Sequence, residues 1–391
     1  MRIVTHAPFQ PLVAERGLAF VPLDGNPNEL FLRPELRSAL TYDGNPLRSA
    51  RASLRYLQAA RPLFQRMLMS AWQGCQGADA LLVTLPTTWG DQIAEALGIP
   101  CVWALTQPLG RTGAFPSPLL PLGLSLGATY NRLTHAAIEQ VVWQPWRGLL
   151  GRWRRETLGL PRLRSIGWEA RTAARGDLFL YGFSPRVAAR PTDWPARFHV
   201  TGYWFLDAAP GWQPAAELLD FLAGGEPPLY VGFGSTGAES DASLLAIVAR
   251  ALALAGRRAI LSVGERDRRS VDLPPGVLPI DAVPHDWLFP RLAAVVHHGG
   301  VGTTAAALRA GIPAVCVPFG TDQLFWARQI AALGCAPPPL PRRALSAERL
   351  AAAIAAVGAP PYRARAAALA ALIGAERGVE RAVALIQSHL R

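Results

Sequence analysis

The sequence predicts an α/β fold with parallel sheets, divided into two domains. Short apolar runs alternate with segments of helical spacing along the chain, and this alternation restarts after DAAPGWQP, residues 207–214. A chain of 391 residues with 50% hydrophobic content is long enough to form two cores. We therefore expect a first domain at residues 1–206, a linker at 207–227 and a second domain at 228–391.

The first domain contains three apolar runs of strand length. They are LLVTLP at 81–86, CVWAL at 101–105 and DLFLYGF at 177–183. Segments with helical spacing lie between them, so these runs predict the strands of a sheet that is covered by helices.

A tryptophan-rich segment of the first domain, residues 141–165, repeats Trp143, Trp146 and Trp153 at helical spacing with arginines on its other faces. This pattern is typical of an amphipathic helix that packs on a sheet, interrupted here at Pro145. The alternative is peripheral contact with an anionic membrane surface. We favour the packing interpretation.

The second domain begins with a predicted strand at LYVGFGST, 229–236, and contains another at GVLPIDAVPH, 276–285. The segment HHGGVGTTAAALRAGIPAVCVPFGTDQ, 297–323, predicts a strand end, a glycine-rich turn, a short helix, a further strand and an acidic loop. Loops that follow parallel strands open on the same edge of a sheet. We therefore expect these loops to face one ligand.

The glycine-rich turn of this segment indicates the chemistry of that ligand. Gly299, Gly300 and Gly302 allow backbone amides to approach a bound group, and Thr303 and Thr304 can cap the following helix. Uncovered amides at the start of a helix attract phosphate. The turn therefore predicts a site for a phosphorylated ligand.

Composition and charge exclude several classes of protein. All 39 basic residues are arginine, which excludes a Walker A loop, a kinase-type lysine and a lysine Schiff base. The net charge is +11, but the sequence contains no zinc finger and no RNA-binding aromatic signature, so we expect no nucleic-acid partner. The scattered cysteines argue against a zinc site and against a disulfide framework. No apolar run reaches membrane-spanning length and no signal peptide is evident, so the expected location is the cytoplasm.

The motifs HHGGVGTT, TDQ, GFGS and AVPHDWLF, together with VTHAPFQPLVAERGLAFVPL and VTGYWFLD, resemble nucleotide-sugar glycosyltransferases of the GT-B fold. The likeness is to bacterial sterol 3-beta-glucosyltransferases and to glycosyltransferases of macrolide and glycopeptide antibiotics. It implies two Rossmann-like domains that face each other across a cleft. The first would bind the acceptor and the second the nucleotide sugar, with the last helix returning to the first domain.

The same resemblance implies roles for individual residues. His298 would donate to the donor diphosphate, Val283 would present backbone groups to the nucleobase, and Asp322 with Gln323 would bind the sugar hydroxyls. For Asp322 and Gln323 the alternative is a helix N-cap. Ala282 and Ala306 stand where plant relatives carry a stacking tryptophan and a ribose-binding glutamate, which leaves UDP or dTDP open. The full set of predicted diphosphate-binding residues is His298, Gly299, Gly300, Gly302, Thr303, Ser235 and Thr236.

The implied reaction is an inverting transfer of a hexose, with UDP-glucose favoured, to a hydroxyl of an apolar acceptor such as a sterol, lipid or polyketide-like aglycone. The resemblance implies no metal and no cofactor. Two alternatives are a nucleotide-sugar-binding protein without a catalytic base and a sugar-nucleotide epimerase of the same fold.

The likeness also predicts a difference at the start of the chain. Relatives begin with a strand, a loop that carries the catalytic base and a helix, before the segment that here is VTHAPFQPLV. We therefore expect the first strand and helix of the first domain to be lacking, and no catalytic residue is assigned. Loss of a central strand would leave backbone amide and carbonyl groups of the neighbouring strands unpaired. This would lower the stability of the protein.

Overall fold

A computed structural model of the protein describes residues 1–26, 30, 46–120, 124–163, 168–234, 242–264 and 272–391. Within these residues the structure is α/β, with helices packed on parallel sheets, as predicted. The elements of the first half are β1 Arg2–Thr5, α1 Gln10–Glu15, β2 Ala19–Pro22, α2 Pro46–Gly74, β3 Leu81–Val83, α3 Asp91–Leu97, β4 Cys101–Leu105, α4 Ala128–Trp143, α5 Arg147–Glu156, α6 Glu169–Arg175, β5 Leu178–Tyr181 and β6 Phe198–Val200.

The second half begins with a helix and then alternates strands and helices. Its elements are α7 Ala216–Ala223, β7 Leu229–Gly232, α8 Ala242–Ala255, β8 Ala259–Ser262, β9 Val277–Ile280, α9 His285–Leu288, β10 Ala294–His297, α10 Val301–Arg309, β11 Ala314–Cys316, α11 Gln323–Ala332, α12 Ala347–Val357, α13 Pro360–Gly374 and α14 Gly378–His389.

The strands of the second half form one sheet in the order β11-β10-β7-β8-β9, with every neighbouring pair parallel. Its central strands are apolar and fully covered because helices lie on both faces. β7 and β10 are neighbours, and His297 pairs with Gly232 at their carboxyl ends. The loops that follow these two strands therefore begin side by side.

The strands of the first half form two separate sheets, β1-β2 and β3-β4-β5-β6. Among the described strands, β1 pairs only with β2, and the outer strand β3 pairs only with β4. Burial differs accordingly, because every residue of β5 is buried whereas Leu82 of β3 is 52% exposed. The expectation of a lacking strand stays a prediction, but β1 and β3 each present a strand edge without a described partner.

The two halves share a hydrophobic core. One cluster joins Trp103, Phe179 and Phe183 of the first half to Trp326 and Ile330 of α11. The last helix, α14, also leaves the second half and packs its apolar side against β4 and β5 of the first. The halves are therefore joined by packing in addition to the chain connection.

The tryptophan-rich segment packs inside the protein, as the favoured interpretation predicted. Leu149, Leu150 and Trp153 of α5 are buried in a cluster with Leu68 of α2 and Ile93 of α3. The chain continues from α4 into α5 through a 3₁₀ turn that contains Pro145. The tryptophans of this segment are therefore not a membrane-binding face.

Part of the predicted linker has regular structure. Helix α7 lies within residues 207–227, and its Leu218 is 2% exposed in the core of the second half. The division between the domains stays a prediction, and the irregular portions of that linker are residues 207–215 and 224–227. All four cysteines are buried and unpaired. Among the described helices, none is both long and apolar enough to cross a membrane.

Candidate active site

The glycine-rich turn links the end of β10 to the start of α10. Gly300 occupies the N-cap position of α10, and no side chain caps the helix. Thr303 and Thr304 lie inside the first turn, so the expectation that they cap this helix is wrong. The first amides of α10 have no acceptor within the helix, and Gly302 is exposed with open space around its Cα. Free amides at the start of a helix, with open space at Gly302, are suited to binding an anionic group.

His298 lies against the glycine loops of both neighbouring strands. A Cβ atom added at Gly300 would stand 2.2 Å from its Nε2, and one added at Gly234 would stand 3.0 Å from its Cε1. Gly234 also has a φ of +64°, which favours glycine. The two glycines therefore make the space that the His298 ring occupies.

The electrostatic surroundings keep His298 neutral at ordinary pH. Burial lowers its pKa, and the nearby Asp322 carboxylate partly opposes that change. Its Nδ1 atom is buried and has no hydrogen-bond partner among the described residues. A buried ring nitrogen without a partner is a strong candidate for contact with a ligand.

His297 has a structural environment, in line with the expectation for it. It is fully buried, its Nδ1 accepts from the amide of Gly299 at 3.1 Å, and its Nε2 lies 3.5 Å from the Cys316 sulfur. Burial, with smaller contributions from His298 and His285, lowers its pKa to about 3. A ring that shapes the turn in this way is not available to a ligand.

Asp322 and Gln323 lie at the start of α11, and both are buried. Asp322 is the N-cap residue, but its side chain caps no amide. Instead, one of its oxygens accepts from Trp326 Nε1 at 2.9 Å and the other from Thr321 Oγ1 at 3.1 Å. The capping alternative for the Asp322 side chain is therefore not realised.

The side chain of Gln323 accepts hydrogen bonds from the backbone of the loop that precedes it. Its Oε1 accepts from the amides of Phe319 at 2.8 Å and Gly320 at 3.2 Å. The side-chain amide nitrogen makes neither of these bonds, and it carries two donors. A Cβ at Gly299 would also stand 2.8 Å from the Gln323 carbonyl oxygen, so the glycine-rich turn and the acidic loop are in direct contact.

Aromatic residues connect this region to the first half of the chain. Phe325 packs against Phe115 with ring centroids 5.3 Å apart, and Trp326 packs against Phe183 at 5.4 Å. Sequence reasoning did not single out Trp326, although a tryptophan one helical turn after Asp322 can return a hydrogen bond to it. The side chains that border Asp322 therefore come from both halves.

The remaining predicted residues fall into two groups. Val283 is half-buried, and it packs in the same apolar cluster as Ala306 and Trp287. Ser235 and Thr236 lie outside the described residues. The structure thus brings together the residues of β10, α10 and α11 and places Val283 in the core that supports α10.

Comparison with known families gives one match in the second half. Residues 248–380 match the family model for the C-terminal domain of erythromycin biosynthesis protein CIII-like proteins. This region contains the glycine-rich turn, the acidic loop and helices α9 to α13.

Relatives with established names match most of the chain. A sterol 3-beta-glucosyltransferase of Leptosphaeria maculans is 39% identical over 345 residues, which cover 85% of this chain and 23% of the relative. One of Cryptococcus neoformans is 35% identical over 413 aligned residues, which cover 100% of this chain and 25% of the relative. Over most of its length this chain is similar in sequence to these sterol 3-beta-glucosyltransferases. It spans about a quarter of the length of the curated relatives that it matches.

The fold of this chain is GT-B. The spinosyn forosaminyltransferase SpnP matches with a TM-score of 0.67 at 16% identity, covering 100% of this chain and 91% of that one. The glycosyltransferase VinC in complex with dTDP matches with a TM-score of 0.63 at 21% identity, covering 99% and 91%. At these identities the likeness shows the fold alone.

Two ionisable side chains elsewhere in the first half, Asp91 and His6, are engaged with other groups of the chain. Asp91 of α3 is fully buried and pairs with Arg171 at 2.8 Å. His6 lies at the end of β1, where its Nδ1 is 2.8 Å from the carbonyl of Leu23. Neither Asp91 nor His6 is assigned as a general base.

Proposed function

We propose that this chain transfers a hexose from a nucleoside diphosphate sugar to a hydroxyl of an apolar acceptor, such as a sterol, lipid or polyketide-like aglycone, with inversion. The observation that carries the proposal is His298, whose ring lies between Gly234 and Gly300 at the start of α10 and whose buried Nδ1 has no hydrogen-bond partner among the described residues. The named relatives support a sterol acceptor and a glucosyl group. UDP-glucose is the donor that we favour.

In this reaction the acceptor oxygen bonds to the anomeric carbon while the bond from that carbon to the diphosphate oxygen breaks. The acceptor proton passes to a base, and the nucleoside diphosphate leaves. Negative charge grows on the diphosphate as its bond breaks, and the amides of α10 and a donated hydrogen bond from neutral His298 stabilise it. Asp322 and the Gln323 amide would orient the sugar hydroxyls.

Two alternatives of a different class stay open. A donor-binding protein without a base would bind the nucleotide sugar and release no nucleoside diphosphate. An epimerase of the same fold would change the donor without any acceptor. The transferase is distinguished from both because its release of nucleoside diphosphate depends on the acceptor supplied.

The identity of the nucleotide forms a separate part of the proposal. Ala282 is exposed and Ala306 is half-buried beside Val283, so small side chains border the position proposed for the base. Two solved structures of the same fold are complexes with thymidine diphosphate (dTDP), which makes dTDP the second candidate. Competition between UDP and dTDP for one site separates the two.

The proposal also includes independence from metal ions and cofactors, and a cytoplasmic location with peripheral contact to a membrane. Transfer rates measured with and without a chelator test the first point. A diphosphate held by α10 and His298 requires no added cation, so we expect equal rates.

The deciding experiment is calorimetric titration with UDP-glucose, followed by assay of UDP release with and without a sterol. We expect saturable binding that His298→Ala weakens at least about tenfold, since a hydrogen bond to a charged group is lost. His389→Ala, at the exposed end of α14, is the matched control and should bind as the parent does. Binding that is indifferent to His298 would overturn the proposed site. Binding without sterol-dependent UDP release would favour the non-catalytic alternative.

A further inference from the structure

Thr321, the residue before Asp322, has a backbone conformation that threonine rarely adopts. Its φ is +54°, and among the described residues it is the only residue other than glycine with a positive φ. A left-handed backbone crowds a side chain that branches at Cβ, so a threonine in this conformation is strained. Such strain persists where the surrounding structure imposes it, and it clusters at functional sites.

Hydrogen bonds of the acidic loop impose this conformation. The amide of Gln323 donates to the carbonyl of Gly320 at 3.3 Å, and this bond closes a four-residue turn. Its central residues are Thr321, with the positive φ, and Asp322, with φ −78° and ψ −2°, which fits a type II′ turn. The Gln323 side chain also accepts from the amides of Phe319 and Gly320, so the turn is held by three hydrogen bonds.

The glycine of this turn stands one position before the residue that favours glycine. Type II′ turns prefer glycine as the first central residue, where this chain has Thr321. At Gly320 the φ is not positive, and no atom lies within 4 Å of an added Cβ. The backbone therefore does not explain the threonine at position 321, and we look for its reason in the side chain.

The hydroxyl of Thr321 has a specific partner in the proposed donor site. Its Oγ1 donates to Oδ1 of Asp322 at 3.1 Å, while the Trp326 indole donates to Oδ2. The indole is fully buried, whereas Thr321 is exposed, so Oδ1 is the oxygen on the open side of the carboxylate. A carboxylate oxygen can accept more than one hydrogen bond. Oδ1 can therefore accept from a sugar hydroxyl while Thr321 holds it.

We propose that Thr321 is a positioning residue for the sugar of the donor. Its hydroxyl fixes Oδ1 of Asp322 in the direction that accepts from a sugar hydroxyl, and the strained backbone keeps the hydroxyl in place. This inference rests on the proposed function, which assigns Asp322 to the sugar. Thr321 acts through Asp322, so loss of its hydroxyl should weaken binding of a nucleotide sugar and leave binding of the nucleotide alone unchanged.

Three substitutions at this position separate the hydroxyl from the strain. Thr321→Val keeps the branched shape and removes the hydroxyl, Thr321→Ser keeps the hydroxyl, and Thr321→Gly removes both the hydroxyl and the strain. In calorimetric titrations with UDP-glucose we expect affinity at least about fivefold weaker for the valine and glycine variants, because a hydrogen bond to a charged group is lost. The serine variant should bind as the parent does. All four proteins should bind UDP equally well.

Melting curves add a readout that needs no donor. Thr321→Gly should melt higher than the parent by about 1–3 °C, because relief of the strain outweighs the freedom that glycine gives to the unfolded chain. Thr321→Val should melt as the parent does, since it keeps the branched side chain. The matched control is Thr157→Val in the first half, which removes a hydroxyl that donates to the Met69 sulfur at 3.6 Å. It should leave binding of UDP and of UDP-glucose unchanged.

The proposed function and this inference fail in different ways. A parent that binds neither UDP-glucose nor dTDP-glucose would overturn both. A parent that binds UDP-glucose no more tightly than Thr321→Val does would overturn the positioning role alone. Equal losses of UDP and UDP-glucose affinity in that variant would also overturn it, since the effect would not concern the sugar. A glycine variant that melts below the parent would show that the turn does not strain Thr321, and the reason for retaining its side chain would be lost.

Discussion

The Nε1 atom of Trp326 donates a hydrogen bond to Asp322 at 2.9 Å, from a ring that is fully buried between the halves of the chain. Asp322 is the residue proposed to bind the sugar of the donor, so its carboxylate is oriented by a side chain that also contacts Phe183. The packing between the halves is thus linked directly to the proposed donor site.

The first prediction concerns this bond. Trp326→Phe keeps an aromatic ring and removes the donor, so Asp322 should lose its orientation. We expect affinity for UDP-glucose to fall roughly tenfold, while affinity for UDP, which lacks the sugar, falls much less. Titration of both ligands well below the melting temperature measures the difference. The control is Trp204→Phe, which removes an equivalent bond to Thr201 away from the site. Equal losses for UDP and UDP-glucose would contradict the role given to Asp322.

The second prediction separates stability from binding at Gly302. No atom lies within 4 Å of a Cβ added there, and the residue is helical, so Gly302→Ala should raise the free energy of unfolding by roughly 0.5–1 kcal/mol. The methyl group should at the same time obstruct the proposed diphosphate position and weaken nucleotide binding. Gly151→Ala in α5 has the same open surroundings and should stabilise without any effect on binding. Unchanged nucleotide affinity in Gly302→Ala would place the diphosphate elsewhere.

The third prediction is a dependence of stability on pH through Asp193. Partial burial raises its pKa, but hydrogen bonds from Thr112, Gly113 and Arg132 outweigh this effect and lower it to about 2. A carboxyl group whose pKa is lowered on folding stabilises the folded state at pH values above its ordinary pKa of 3.8. This contribution is lost as the pH falls toward 2.

Melting curves of the parent and Asp193→Asn between about pH 7 and pH 2 test this dependence. The parent should melt higher at neutral pH, and the gap should close as pH falls below 4. Asp272→Asn, at an exposed position of the second half, is the control. A gap that keeps the same size at every pH would show that Asp193 contributes through packing and not through its charge.

The fourth prediction concerns the strand edges of the first half. A strand and helix taken from a relative and joined before Met1 should pair with β1 or β3 and cover Leu82. We expect a melting temperature higher by at least about 3 °C, because even roughly 1 kcal/mol shifts a domain of this size by that amount. The control carries a segment of equal length in which glycine and proline replace the strand residues. Identical melting of the two fusions would refute the expected role of the edges.

Sequence patterns predicted the fold well where burial is complete. The strands at β4, β7 and β10 are continuous apolar runs bounded by turn residues, and the structure places them at the predicted positions. The glycine-rich turn was predicted from Gly299, Gly300 and Gly302, and the structure adds that Gly300 and Gly234 make the space for His298. The similarity to sterol 3-beta-glucosyltransferases also followed from motifs of this kind.

Features that depend on side-chain contacts between distant segments were not predictable. Capping of α11 by the Asp322 side chain was the alternative that the sequence left open, but this carboxylate accepts a hydrogen bond from the Trp326 indole instead. The sequence favoured packing of the tryptophan-rich segment 141–165, but it did not indicate contacts with α2 and α3, because a hydrophobic stripe does not reveal what covers it. The burial of the polar side of α4 was missed because helices are read by their apolar side.

Because α14 packs on the first half, the second half is attached to the first half at both of its ends. Ala382, Leu385 and Ile386 pack on β4 and β5, although they follow the whole second half in the chain. A protease cut in the irregular stretch around residues 207–214 would therefore leave two fragments that stay associated. Such a nicked protein should migrate as one species on a native gel, and it should separate only after α14 is detached or the protein is denatured.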